Sequence, residues 1–292
     1  MAGQIWFGRP GDFRWMPAPA TGMSARNEGY SETINFENGR ASVVRSKASH
    51  KVFEWIFPVQ DATEYEGLDV YSEYATGLRG IGDKVYWADP MNYDTNLFPP
   101  GWAAPALQEQ GWKSVAPLAT VTYLNTAANS YLQPSRTATF NLNSIPANTP
   151  AGASVIIPIP PSHTLSIGHS GANIGAAAVV ARPINFDGTY ATVVPLTPLN
   201  PVNFTRYNAT FAGSSFSAVE VYLRQTTVSA GNSVTITSLS ARLDSLSLPT
   251  TDVFVSGKGT TGMKFADGAI SETYVMQDRH LKGMSTSLVE VD

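Results

Sequence analysis

Ser233-Val234-Thr235-Ile236-Thr237-Ser238-Leu239-Ser240-Ala241-Arg242-Leu243 (SVTITSLSARL) alternates apolar and polar residues along most of its length. Successive side chains of a strand point to opposite faces, so this pattern predicts a strand with one side in a core. Ala218-Val219-Glu220-Val221-Tyr222-Leu223-Arg224 shares the alternation in part. The residues between them, Val228-Ser229-Ala230-Gly231-Asn232, are turn formers, which predicts that the two strands adjoin. Working outward, Thr120 to Leu124, Thr137 to Leu142, Ser154 to Ile159, Thr164 to Ile167, Ala176 to Arg182 and Thr192 to Leu196 read as further strands. Pro, Gly, Asn and Ser clusters separate them and no long helical period competes, so the expected architecture is a two-sheet sandwich of jelly-roll type.

A break in composition delimits this module. From Ala116 to Thr250 there are five arginines, three acids (Asp187, Glu220, Asp244), no lysine and no tryptophan, so about 6% of the residues are charged. The rest of the 292 residues is about 22% charged and holds all six tryptophans. Charged composition resumes at Asp252, which predicts a sandwich at 116–250 inserted into an outer domain formed by 1–115 and 251–292, with linkers at Ala116-Pro117 and Leu248-Pro249-Thr250-Thr251. In the outer domain, Gly39 to Ser46 and Lys51 to Val59 read as paired strands, and the acidic, aromatic stretch from Asp61 to Gly77 reads as a helix.

Composition also narrows function. With 19 basic and 23 acidic residues and no basic stripe, the chain is not expected to bind nucleic acid. No apolar run approaches the roughly 18 residues of a membrane span. The opening stretch, IWFGRPGDFRWMPAPA from Ile5, is broken by Arg9, Asp12 and Arg14, unlike a secretory signal. Cysteine is absent, which removes disulfides, thiolate nucleophiles and Cys-ligated zinc together.

Little in the sequence points to catalysis, and no enzymatic activity, cofactor or metal is expected. Gly168-His169-Ser170-Gly171-Ala172 approximates a G-x-S-x-G nucleophile elbow, but strand-like flanks replace the strand-to-helix turn that an elbow needs. His163 and His169, six residues apart, form a metal pair only with a distant carboxylate. Asn203-Phe204-Thr205 and Asn208-Ala209-Thr210 fit the glycosylation pattern. A carbohydrate-binding surface is the stronger reading of the module, because sugars lay apolar faces on aromatic rings while polar side chains bond their hydroxyls. Asn185, Phe186, Asp187 and Tyr190 are the candidates, with Phe204, Tyr207, Phe211, Asn203 and Asn208 nearby in sequence.

Trp6, Phe7, Phe13 and Trp15, together with Phe98 and Trp102 in the Pro-rich stretch from Asn96 to Trp102, form a second group of candidates. Two roles fit these rings: an oligomer interface, since apolar patches on loops mark interfaces, or a cover for the open end of a small barrel.

Pro17-Ala18-Pro19-Ala20-Thr21-Gly22-Met23, Asn38-Gly39-Arg40-Ala41-Ser42-Val43-Val44-Arg45-Ser46 and His50-Lys51-Val52-Phe53-Glu54-Trp55 resemble the N-terminal pattern of minor tail proteins of tailed actinobacteriophages. That pattern runs P-x-P-x-x-G-M, then N-G-G-x-x-V-x-R-S, then H-R-x-Y-x-F, and this chain departs from it at Arg40, Lys51, Phe53 and Trp55. In organisation the chain is similar to distal tail proteins of long-tailed phages (siphoviruses). The resemblance implies an all-β fold: a split, tail-tube-like β-barrel with an inserted jelly-roll sandwich of galectin or carbohydrate-binding-module type. It implies a virion protein assembled in the host cytoplasm, forming a homo-oligomeric ring, six copies by family expectation, between tail tube and tip. Its expected partners are other tail proteins and a host-surface glycan.

Overall fold

The computed structural model describes residues 4–19, 24–35, 41–60, 62–80, 83–89, 95–104, 120–125, 136–152, 154–199, 206–244, 257–266, 271–277 and 279–291. Along the chain lie β1 (Gln4–Gly8), β2 (Arg14–Pro17), β3 (Ser24–Asn35), β4 (Ala41–Gln60), helix α1 (Ala62–Ala75), β5 (Tyr86–Ala88) and the short helix α2 (Pro100–Ala103). Then come β6 (Thr120–Asn125), β7 (Arg136–Asn141), β8 (Val155–Pro158), β9 (Thr164–Ile174), β10 (Ala177–Ile184), β11 (Val194–Pro195), β12 (Thr197–Leu199) and β13 (Arg206–Ala212). The last are β14 (Ala218–Gln225), β15 (Ser233–Leu243), β16 (Met263–Phe265), β17 (Ser271–Gln277) and β18 (Arg279–Glu290). The fold is mostly β, as expected, built of several open sheets; among the described residues no sheet closes into a barrel.

The chain divides into two compact units. One comprises Met1–Gln4, Met16–Val85 and Gly262–Asp292, the other Ile5–Trp15 and Tyr86–Thr261. The expected boundaries at 115/116 and 250/251, with both linkers, fall outside the described residues. The units differ from the expected division because Ile5–Trp15, the 86–104 segment and 257–261 belong with the sandwich.

In that second unit, two antiparallel sheets face each other, ordered β12-β13-β9-β15-β7-β6 and β11-β10-β14-β8. Val234, Ile236, Leu239, Ala241 and Leu243 of β15 meet Val219, Val221 and Leu223 of β14 and Ala177, Val179 and Ala181 of β10 in one buried cluster. The apolar positions of β15 change parity after Ile236 because a bulge sits there: Ile236 opposes Gly171 and Ser238 opposes Ser170, leaving Thr237 as the extra residue. The expectation that β14 and β15 adjoin is corrected, since they lie in opposite sheets. The connection crosses the edge of the sandwich and is fastened there by Asn232. Its Nδ2 donates to Gln225 Oε1 (2.7 Å) and Thr227 O (2.6 Å), and its Oδ1 accepts from Ala176 N (3.0 Å).

The tryptophan-bearing segments join this unit by burying rings and matching backbone. Asn96 is fully buried; its Nδ2 donates to Leu239 O (2.9 Å) and its Oδ1 accepts from Ala241 N (3.0 Å) and Phe98 N (3.2 Å). This holds Phe98 and Trp102, at 0% and 1% exposure, in the sandwich core. β1 pairs with β5, Trp6 opposite Ala88, and Trp6 Nε1 donates to Ser217 O at the start of β14 (3.2 Å).

The first unit carries the sheet β16-β18-β4-β3, with β17 paired to β18. Helix α1, on the stretch expected to be helical, packs against it through Leu68 and Tyr71. Tyr71 lies 4.8 Å from Phe57 and 5.8 Å from Trp55 between ring centroids, and its hydroxyl donates to Pro17 O (2.8 Å). The two strands expected at 39–46 and 51–59 do not pair. They are parts of one 20-residue strand, β4, because Lys47-Ala48-Ser49-His50 holds no Gly, Pro or Asn to turn the chain, and β4 pairs with β3.

Candidate functional site

The candidate sugar-binding residues lie on and beside the turn that joins β10 to β11. Its backbone closes through Asn185 N to Thr189 O (2.9 Å) and Gly188 N to Asn185 O (3.0 Å). Gly188 sits at φ +83°, where a side chain is strained, and a Cβ there would come within 2.9 Å of Gly11 Cα. The loop Arg9–Asp12 therefore rests directly on the turn, held by Asp12 N to Arg9 O (2.8 Å) and by an ion pair between Arg14 and Asp12.

The polar candidates are engaged with Thr189. Asp187 Oδ1 accepts from the Thr189 hydroxyl (2.6 Å) and amide (2.9 Å), and the Asn185 amide donates to the same hydroxyl (2.9 Å). The hydroxyl bond, then the amide bond, lower the Asp187 pKa below its ordinary value. This is the short-range bonding that turn Asp and Asn residues usually make.

The aromatic candidates divide. Phe186 and Tyr190 are 44% and 49% exposed, and Trp15 is 37% exposed. Trp6, buried, is the hub on which Trp15 (5.4 Å), Phe13 (6.1 Å) and Phe186 (6.4 Å) pack. Four of the six expected interface rings, Trp6, Phe7, Phe98 and Trp102, are corrected to interior residues, each at most 4% exposed. Phe211 also points into the core, whereas Asn203 and Phe204 and the side chain of Tyr207 lie outside the described residues.

Beside the turn is an ionic cluster that the sequence reading did not assemble. Arg182 on β10 stands opposite Glu220 on β14, and its Nε donates to Glu220 Oε2 (2.9 Å). Its guanidinium lies 3.8 Å from the Tyr190 ring centroid and 5.4 Å from that of Tyr222. Burial opposes the charge of Arg182, but the hydrogen bond and charge of Glu220, aided by Tyr222 and Tyr190, outweigh it and raise the pKa. Burial, then the Glu220 carboxylate, raise the pKa of Tyr190. A signal was present: Arg182 and Glu220 are two of only eight charges in the charge-poor stretch, and a charge kept in such a setting is expected to be paired.

His163 and His169 do not converge. His163 Nδ1 pairs with the Asp244 carboxylate, which also accepts from Thr164 N (2.9 Å). His169, 1% exposed, donates from Nε2 to Thr235 O (3.0 Å) inside continuous strand β9, so no strand-to-helix turn is present at Ser170. Among the described residues, no group of three His, Cys, Asp or Glu gathers as a metal site.

No protein-family model and no curated protein matches the chain. Among solved structures, the enzymatically active domain of tailspike protein 4 of bacteriophage CBA120 is similar at TM-score 0.34 and 15% identity. The match covers 51% of this chain and 21% of that one. A tandem CBM22 domain of Paenibacillus barcinonensis Xyn10C matches at TM-score 0.29 and 10% identity, over 56% and 54% of the two chains. The VP2 subviral particle protein of infectious bursal disease virus matches at 0.21 and 14%, over 95% and 83%. These likenesses are too distant to assign an activity, and the chain spans a fifth and about half of the first two proteins.

Proposed function

We propose that the chain is a structural component of a phage tail, assembling through its first unit as a ring between tail tube and tip and presenting the sandwich to neighbours or to the host surface. The sequence motifs at 17–23, 38–46 and 50–55 support the family, which carries the expectation of six copies. The observation that carries assembly is the length of β4. Its residues from Val52 onward pair with β18, while 41–51 have only β3 beside them among the described residues. β3 in turn has no second neighbour there. A two-stranded ribbon is at best marginally stable in water, and its unpaired edges are templates for another chain.

The test replaces residues 30–48 by Asn-Gly, a two-residue turn that keeps the Gly29–Ser49 pair. The shortened chain is expected to fold yet to lose the oligomer that light scattering finds for the full chain. A full chain that stays monomeric at high concentration and is missing from labelled virions in electron micrographs would sink the reading.

A second reading, a glycan-binding protein without a ring role, is favoured by one feature: the exposed rings of Trp15, Phe186 and Tyr190 around the same turn. Loss of glycan-array signal in Tyr190→Ala and Phe186→Ala would support it, and an unchanged signal would remove it.

A further inference from the structure

A groove of about 490 Å³ opens at the edge of the sandwich, on the inner side of β10 and away from the Arg182 cluster. We infer that it is a binding site for an uncharged saccharide, distinct from the rings of the turn; with the second reading above it shares the class of ligand but none of the residues.

The groove exists because the chain changes sheets. Val194 and Pro195 pair with β10, and two residues later Thr197 pairs with Asn208 in the opposite sheet. Continuing that register would set Pro195 opposite Thr210, but Pro195 has no N–H and already lies beside Val180. The Asn208 carbonyl faces β12, since it accepts the Thr197 hydroxyl (3.3 Å), and Gly213 N faces the other way, to His163 O (2.7 Å). Peptides alternate sides along a strand. The N–H and C=O of Thr210 therefore point into the groove, and among the described residues no strand lies across from them.

The lining determines the ligand. Pro183, Pro195 and the perpendicular pair Phe211 and Phe216 (6.5 Å between centroids) supply an apolar floor of small-ligand size. Thr192 and Thr197 supply hydroxyls, Asn208 and Thr210 border the groove along the strand edge, and among the described residues no Asp, Glu, Lys, Arg or His lines it. A floor of rings and prolines, uncharged hydrogen-bonding walls and one open peptide match a molecule with C–H faces and many hydroxyls. An added peptide strand fits poorly, because among the described residues of this edge only Thr210 is open: the Ala212 carbonyl is taken by Ser215 N (3.0 Å) and Phe216 N (3.2 Å).

The experiment titrates the full chain with neutral gluco-, galacto- and mannotriose, and with an anionic hyaluronan tetrasaccharide as comparator, by calorimetry and ligand-observed NMR. At least one neutral trisaccharide is expected to bind at millimolar concentration or below, and the anionic one to bind at least tenfold more weakly. Phe216→Leu and Thr192→Ala are each expected to weaken binding at least fivefold, while Tyr190→Ala leaves it unchanged. Amide shifts of the wild-type chain should centre on Thr192, Thr197 and Thr210, which keeps the assignment testable if a variant fails to fold. Absence of binding by every neutral sugar overturns the inference, as does equal binding of the anionic one. Loss of binding in Tyr190→Ala alone also overturns it while sustaining the second reading. Binding that vanishes only in Thr192→Ala and Phe216→Leu removes the turn as the sugar site and keeps the groove.

Discussion

At the scale of single residues, two buried polar side chains do work for which burial alone gives no reason. Asn96 satisfies Phe98 N, Ala241 N and Leu239 O at once. Asn96→Ala leaves all three without their partner, and each unsatisfied buried group costs about 1–3 kcal/mol. The expected loss, about 3 kcal/mol or more, is read from urea unfolding of the sandwich unit. His169 gives a pH dependence instead. Burial lowers its pKa from 6.5 to about 4, against the opposing hydrogen bond to Thr235 O. Between those values the unfolded chain takes up a proton that the folded chain refuses, so stability is full above about pH 6.5 and falls as the pH drops toward 4. The full deficit is roughly 3 kcal/mol, from about 1.4 kcal/mol per pKa unit. Urea midpoints should therefore fall between about pH 7.5 and pH 5 in the wild type and fall less in His169→Gln, whose amide still donates to Thr235 O. Equal slopes in the two proteins would refute the assignment to His169.

At the scale of elements, the strands of the sandwich were legible as short apolar-rich runs between Pro, Gly, Asn and Ser clusters, and in β15 also as an alternation that the burial pattern follows on either side of its bulge. Their pairing was not, because a strand with one buried face looks the same in either sheet; the turn formers between β14 and β15 predict adjacent strands, yet the connection crosses to the opposite sheet. The bulge in β15 was half legible, as a change of parity between Ile236 and Leu239. What fixes its place is Gly171 on the partner strand, at φ +150°, where a Cβ would lie 1.9 Å from Thr235 O. Gly171→Ala must therefore move backbone, and a cost of at least about 3 kcal/mol is expected. Gly231, also at positive φ (+109°), has open space around its Cβ position, so Gly231→Ala carries only the conformational cost, about 1 kcal/mol. Thermal unfolding of the pair separates the two effects, and equal shifts would mean that the bulge can slide.

At the scale of the molecule, composition located the charge-poor sandwich but not the segments that complete it. A tryptophan at position 6 carries no mark that its partner is Ser217, because contacts across two hundred residues leave no local pattern. For the same reason the turn at 185–190 was recognised as aromatic, yet the Trp6 hub beneath it and the groove beyond Pro183 were not. The consequence concerns what folds alone. β14 buries both faces: Val219, Val221 and Leu223 toward the core, Ala218, Glu220 and Tyr222 away from it. On the second face, Trp6 bonds Ser217 O and packs on Phe186, and β1 holds β5, whose Tyr86 has its pKa raised by burial and then by Glu220. A chain starting at Met16 loses Trp6, and truncating a buried tryptophan alone costs about 3–5 kcal/mol. Amide exchange is expected to quicken in β14 and at 184–190 after the deletion, while the β9 and β15 amides, paired with each other on the far sheet, keep more of their protection. Unchanged exchange in β14 would mean that the opening segment merely rests on a sandwich already complete, and the compact unit would then shrink toward the charge-poor module.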